Sequence, residues 1–463
     1  MRLLPFLLLL LALGSSHAAA PNTAPSQMRT LLAELIAVDT SNPPGNETAA
    51  AQVAARWLRE AGIEAEILEP APGRGNLLAR LKGSGRGRPL LVLAHLDTVP
   101  AQRQEWTTDP WQLTERDGFL YGRGVQDNKG MAAASILALR RLKRDKVKLS
   151  RDILLYLGAD EEVGSGNGLD WMLANRPELR EAEFALNEGG LTELSTDRSR
   201  VLFVALQAAE RVSRNVVLKA TGPGGHASVP PASPGPLVRV AAAVARVGAH
   251  SFPARLTPAA RLHIQGRAPT TPGELGQALQ RIAASPEAPP QEAVDTVARL
   301  DPALAAVMRS TCVPTVFQAG TRPNVIPATA EATLNCRLLP DEDMEAFRAR
   351  LVAAVGDASL QVELDASAPN SPMSPVGDNA MFRAAKAAAA RVWPGVPVIP
   401  RMSTGTTESA DLRRAGIHAY GIDLFALTPE DARTAHAPAE RIPTASLETG
   451  AEFVYQLLRE LTK

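Results

Sequence analysis

Apolar residues in this chain fall into short unbroken blocks, and most blocks end in a polar or glycine-rich corner. The runs Ala65 to Leu68, Asn76 to Lys82, Leu90 to Ala94, Ile153 to Gly158, Phe184 to Leu186 and Val201 to Leu206 have strand length. The longer ones lack the alternation of a half-solvated sheet, which predicts strands covered on both faces. Elsewhere apolar positions recur at helical spacing. Met28, Leu31, Leu32, Leu35 and Ile36 predict an opening helix, and a second follows the Asn42-Pro43-Pro44-Gly45 breaker and stops at Gly62. Further helices are predicted over Asn128 to Leu142 and Leu169 to Ala174, with a strand near Leu120 before them. Strands alternating with helices describe an open α/β sheet with helices on both faces, where ligands gather outside the carboxyl ends of the strands.

The texture changes near Glu210. A strand over Val212 to Lys219 is followed by glycine-proline punctuation, two Ala/Val/Arg-rich helical stretches, and strand-like runs at Thr311 to Gln318 and Ala328 to Arg337. This block ends at Leu339-Pro340-Asp341 and has the size and element grouping of a small α+β sandwich. A helix from Asp343 to Val355, a strand near Leu360 to Leu364 and later alternation return to the first texture. The expected organisation is a leader over 1–20, a main domain in two parts (21–210 and 341–463), and an inserted domain over 211–340.

Composition narrows the class. A chain of 463 residues exceeds one ordinary domain of about 150 residues. Lys plus Arg and Asp plus Glu are equal at 49 each, so there is no bulk field to attract nucleic acid or an anionic membrane. The first twenty residues differ: Arg2 precedes the apolar run Leu3 to Leu13, and small residues follow at Ser16, Ala18, Ala19 and Ala20. This is the pattern of a secretory signal peptide, too short to span a bilayer, so an exported chain (periplasmic or secreted), with no membrane contact after signal cleavage, is expected. The two cysteines, Cys312 and Cys336, lie on the two runs of a predicted hairpin, and either a cross-strand disulfide or two buried thiols fits. Gly83, Gly85 and Gly87 precede a strand and lack phosphate-loop spacing, which discards a nucleotide site there.

Candidate chemistry sits at the strand ends. The Ile153 strand ends in Asp160-Glu161-Glu162, more negative charge than a core rim needs unless a cation is present or the corner is simply solvated. His95-Leu96-Asp97 closes another strand, with Asp97 two positions on and able to orient the imidazole. Asp127 sits between the glycines after Tyr121 and a helix start, where it could equally be an N-cap. Glu188 ends the Glu183 to Leu186 strand, and His436 lies in a loop before the last helix. Two histidines and three carboxylates suit two zinc ions with one aspartate shared. Neighbouring Glu161 and Glu162 point in different directions along a strand, which suits one as base and one as ligand.

In this order the motifs resemble the co-catalytic zinc metallopeptidase family that includes acetylornithine deacetylase, succinyl-diaminopimelate desuccinylase, aminoacylase-1 and the glutamate carboxypeptidases. The resemblance covers nearly the whole chain after the leader. It implies a zinc-peptidase catalytic domain with a mixed central sheet flanked by helices, plus an inserted α+β two-layer satellite domain through which the chain would dimerise. It makes His95 and Glu188 ligands of one Zn2+, Glu162 and His436 ligands of the other, and Asp127 the bridge, with Co2+ or Mn2+ as substitutes. Glu161 matches the general base, and Asp97 the carboxylate behind His95. His226, in Gly222-Pro-Gly-Gly-His226-Ala-Ser228, matches a histidine that serves the partner's active site. Asn324 and Arg337 match residues that bind the substrate carboxylate, and the Asp127-Asn128 peptide bond is expected to be cis.

Where many relatives carry a Gly-Gly-Thr/Ser-Asp-Ala turn, this chain has Ser403-Thr404-Gly405-Thr406-Thr407-Glu408-Ser409-Ala410, with Gly405 at the substrate-anchoring position. His250, His263 and His418 match nothing and are expected to be structural. The activity implied is hydrolysis of a peptide or N-acyl amide bond next to a free carboxylate, of carboxypeptidase, dipeptidase or aminoacylase type, on a small peptide or N-acyl amino acid. The rival is an exported binding protein that kept the fold without catalysis.

Overall fold

In the computed structural model, residues 26–365 and 371–463 are described, and the leader expected over 1–20 lies outside them. Ten strands make one large sheet. Its centre is four parallel strands, in the order Ile153–Gly158, Leu90–His95, Phe184–Asn187 and His418–Gly421. Asn76–Leu81 and Ala65–Leu68 extend one side in antiparallel fashion. Val201–Glu210, Leu191–Leu194, Ala426–Leu427 and Val398–Ser403 extend the other, so the sheet is mixed.

Strand period explains why the central runs lack polar alternation. Val92, Leu155 and Leu157 point into the larger core, under Gln27–Ile36, Glu47–Glu60, Lys129–Arg144, Ala380–Val392 and Ser446–Leu461. Leu91, Leu93, Leu154 and Tyr156 point the other way, onto Leu169, Met172 and Leu412. Both sets are fully buried, and each such side chain contributes about 1.5–3 kcal/mol. Because the four central strands are parallel, their carboxyl ends share one rim, and this rim carries His95, Asp160 to Glu162 and Glu188.

Three features depart from the expectations above. The Leu120 strand is not in the large sheet: Phe119–Tyr121 pairs with Thr114–Arg116 and with Arg441–Pro443 in a separate three-stranded sheet. This pairing ties the approach to Asp127 to the segment just after His436. Second, the inserted unit does not stop at 340. Its four-stranded antiparallel sheet runs Thr311–Ala319, Thr329–Leu338, Val212–Thr221, Gln361–Leu364, so the last strand comes from residues assigned to the second part of the main domain. Helix Met344–Val355 also packs there: with helix Pro236–Ala249 it buries Val240, Phe347 and Leu351 against Val216, Leu218 and Leu334. Third, the helices Pro258–Arg267, Gly273–Ala284, Gln291–Leu300 and Pro302–Ala306 form a layer of their own. They bury Ile264, Leu279 and Val297 with Ala209, Leu339 and Met402, so they sit over the Val398–Ser403 edge of the large sheet.

Cys312 and Cys336 stand opposite each other across the edge pair of the inserted sheet and are disulfide-bonded.

Candidate metal centre

The five residues expected as ligands meet at the rim. His95 Nε2 lies 2.9 Å from Asp127 Oδ1 and 3.6 Å from Glu188 Oε2. His436 Nε2 lies 2.9 Å from Asp127 Oδ2 and 3.3 Å from Glu162 Oε1. Two groups result, His95/Asp127/Glu188 and Asp127/Glu162/His436, each with ligand atoms within 4.8 Å of one another, and Asp127 gives one oxygen to each. Glu162 Oε1 is buried with no hydrogen-bond partner. Imidazole nitrogen and carboxylate oxygen are the donor set of a zinc-type divalent ion, and an orphaned buried carboxylate oxygen facing a histidine fits such an ion. The residues present therefore fit two divalent cations.

The electrostatics agree. Burial alone would lower His95, but the Glu188 charge and the bonds to Asp127 and Asp97 hold it well above its ordinary value. The carboxylates of Asp127 and Glu162 beside its ring raise His436 to about 10. Burial would raise Asp127, but the two histidines hold it far below the usual carboxylate range. Because the neutral imidazole is the ligand form, a divalent ion would compete with a proton at both histidines. Burial, then the charges of Glu188, Glu408 and Glu162, push Glu161 up to about 10.

Local structure presents each group. The Asp127-Asn128 bond is cis, and His436 sits at φ +63°, two unusual backbone states at one site. Asn128 Nδ2 donates to Glu188 Oε2 at 2.6 Å. The Glu188-Gly189-Gly190 turn requires its glycines: Gly189 has φ +97°, and a Cβ on Gly190 would lie 2.4 Å from the Ile422 carbonyl carbon.

Residues outside the ligand set support this cluster. Asp97 does more than approach His95 Nδ1 at 3.3 Å: its two oxygens accept the backbone N–H of Glu161 at 3.2 Å and of Glu162 at 3.0 Å, and Asn42 Nδ2 at 2.9 Å. Asp160, at φ +70°, accepts from Asn42, Arg74, Ser165 and the Asn167 amide, while Arg74 also bonds Glu47. Glu440 is fully buried and accepts from Arg123 Nη1 at 2.8 Å and from the amides of Gly124 (3.0 Å), Gln126 (2.8 Å) and Asp127 (3.2 Å). It clamps the loop that carries Asp127. Only its place four residues after His436 pointed to it.

The remaining candidates make no hydrogen bond or ion pair to the five ligand residues among the described residues. His226 is exposed on the short strand Gly225–His226, which pairs with Val325–Ile326, and its Nδ1 is 2.7 Å from Ser228 Oγ. The Ala227 amide donates to the Asn324 carbonyl, so His226 and Asn324 are neighbours. Arg337 Nη1 reaches Thr406 Oγ1 at 3.4 Å, which brings the inserted sheet to the exposed loop around Gly405. His263 is buried and bonded to the Pro400 carbonyl, as a structural residue is. Between the helical layer and the rim lies a cavity of about 800 Å³, bounded by Asp127 and Glu188 at one end and walled largely by apolar side chains such as Met131, Leu275 and Leu304.

The model of peptidase family M20/M25/M40 matches residues 91–460. The chain belongs to this family. Among curated relatives, human N-fatty-acyl-amino acid synthase/hydrolase PM20D1 is 28% identical over 381 residues, covering 80% of this chain and 74% of the relative. Mouse aminoacylase-1 is 27% identical over 406 residues, covering 86% and 87%. The fold is shared with the M20 metallo-carboxypeptidase Sso-CP2 from Sulfolobus solfataricus, at TM-score 0.70, 20% identity and coverage of 95% and 99%. Bacillus subtilis YXEP, described as a dinuclear metal binding peptidase of the M20 family, matches at TM-score 0.58, 17% identity and coverage of 94% and 98%. This M20 chain is a metal-dependent peptidase or amidohydrolase.

Proposed function

We propose that this M20 protein is an exported di-zinc hydrolase that cleaves an N-acyl amino acid or small peptide at the amide next to a free carboxylate. The observation that carries the reading is the pair of ligand groups sharing Asp127, with Glu161 beside them. His95 and Glu188 would hold one ion, Glu162 and His436 the other, and Asp127 both. Such ions supply Lewis acidity toward a water and the scissile carbonyl. Their charge also opposes the burial that raises Glu161, moving it toward the range a general base needs.

Glu161 then takes the proton of the attacking water and returns it to the leaving amine. Asp97 holds Glu161 and Glu162 in register through their backbone amides. Arg337 and Asn324 engage the substrate carboxylate, for which a planar guanidinium fork is suited, with Gly405 in the loop beside Arg337. The partner subunit's His226 polarises the carbonyl in a homodimer formed through the inserted domain. The cavity beside Glu188 takes a part of the substrate other than the carboxylate held by Asn324 and Arg337.

The test is a screen of N-acyl amino acids and dipeptides on the zinc-loaded chain, with metal content measured in parallel. Glu161→Ala is expected to keep its metal and lose about 10²–10⁴-fold in kcat. Metal-loaded Glu161→Ala with substantial turnover would overturn the assignment of the base.

A further inference from the structure

Among the half-buried cationic side chains that line the cavity, one has no ionic partner among the described residues. Arg401, on the Val398–Ser403 strand, lines it, and Nη1 donates to the Gly190 carbonyl at 2.5 Å. Among the described residues no other hydrogen bond satisfies this guanidinium, which has five N–H donors, and no carboxylate lies within 4.0 Å of it. Arg401 is half-buried, and its remaining N–H groups are open to the cavity, where they are free to take a planar acceptor.

The other charges in the cavity are accounted for. Arg267 is paired with Asp301 at 3.0 Å, and Arg433 is exposed. Burial holds His263 down to about 3, so it is neutral. Glu193 and Asp423 face Arg401 from beyond ion-pair distance; burial raises both, Asp423 to about 7, and Asp423 Oδ1 is occupied by the Phe425 amide. Arg401 is thus the half-buried cation of the cavity that has no ion pair among the described residues. It is also close to the chemistry: Gly190 is two residues from Glu188, a backbone span of at most about 7 Å.

We infer that this cavity is a second carboxylate subsite, in which Arg401 binds an anionic group of the substrate distinct from the carboxylate assigned to Asn324 and Arg337. The inference rests on the hydrolase reading above for the direction in which substrate lies. The group is a carboxylate a few bonds from the scissile amide. Two parts of a substrate can supply it: a dicarboxylic acyl group, or the acidic side chain of the released amino acid. A planar fork with free N–H groups matches a carboxylate bidentately, which an apolar acyl terminus cannot use.

Two pairs of near-isosteric substrates separate the sources on the zinc-loaded full chain: N-glutaryl-alanine against N-pentanoyl-alanine, and N-acetyl-glutamate against N-acetyl-glutamine. The expected result is a kcat/KM preference of roughly 10–100-fold for the acid in one pair. Arg401→Met should bring that ratio close to one, and Arg401→Lys should restore part of it. No preference in either pair, or an Arg401→Met loss equal for acid and neutral substrates, overturns the subsite. Calorimetric titration of glutarate and glutamate into wild type and Arg401→Met gives a readout without turnover. Arg401-dependent binding with no hydrolysis of any substrate would retain the subsite and remove the hydrolase reading; binding independent of Arg401 would remove the subsite.

Discussion

The loop that delivers Asp127 is held by a residue that touches no substrate, and Glu440→Ala tests how far metal binding depends on it. Glu440 is fully buried and accepts four hydrogen bonds, three from the backbone amides of Gly124, Gln126 and Asp127 and one from Arg123, itself 2% exposed. Removing the carboxylate leaves the Arg123 charge buried and unpaired, which costs about 3–5 kcal/mol. At a denaturant slope near 3 kcal/mol/M this lowers the urea midpoint by about 1–1.7 M. The loop effect is separable from stability. Arg123→Met/Glu440→Leu replaces the ion pair by apolar groups and should recover much of the midpoint, because burial already works against the Glu440 charge. It does not restore an acceptor for the Gly124, Gln126 and Asp127 amides, so metal affinity should stay about 10–100-fold weak by chelator competition. A Glu440→Ala chain with wild-type midpoint and wild-type metal affinity would refute the clamp.

Three further outcomes follow from the same geometry. His263 is held down to about 3 in the fold against 6.5 ordinarily, so the unfolded chain binds the extra proton as pH falls below 6.5 and stability drops from there toward pH 3. His263→Leu should remove about 2–3 kcal/mol of the difference in unfolding free energy between pH 6.5 and 4.5, and an unchanged pH slope would show that His263 titrates normally. Gly190→Ala forces a Cβ onto the Ile422 backbone and should cost about 1–3 kcal/mol by urea melt while weakening metal binding through Glu188; a neutral effect would mean the turn has room. Asp97→Ala should lower kcat by more than it lowers metal content, since it frees the Glu161 and Glu162 amides as well as His95, and equal losses in both would reduce Asp97 to a histidine support.

Strand and ligand positions were legible because they follow from local pattern. A run such as Ile153 to Gly158 is apolar at every position only because both faces are covered, and the residues that break it fall at the rim where the chemistry lies. His95, Asp127, Glu162, Glu188 and His436 could be picked out since each ends a strand or opens a turn. Asp160 and Glu440 could not, because their work is done through partners far away in the chain: Arg74 is 86 residues from Asp160, and Arg123 is 317 from Glu440. A carboxylate beside a ligand looks the same in sequence whether it is solvated or clamps a loop.

The early boundary at 340 has a similar cause. Gln361–Leu364 is a four-residue strand with only half-buried inward positions, and nothing in so short a run says which sheet it joins. The helices from Pro258 to Ala306 read as ordinary amphipathic segments. That they cover the main sheet and wall the cavity depends on packing against Ala209 and Met402.

The central claim is a pair of divalent ions sharing Asp127, and metal stoichiometry on the purified chain tests it most directly. The account predicts two zinc ions per chain for wild type, about one for His436→Ala with His95 and Glu188 intact, and almost none for Asp127→Ala, with hydrolysis of N-acyl amino acids only in the two-ion state. One ion or fewer in fully active wild type, or an Asp127→Ala chain that still holds two, would contradict it.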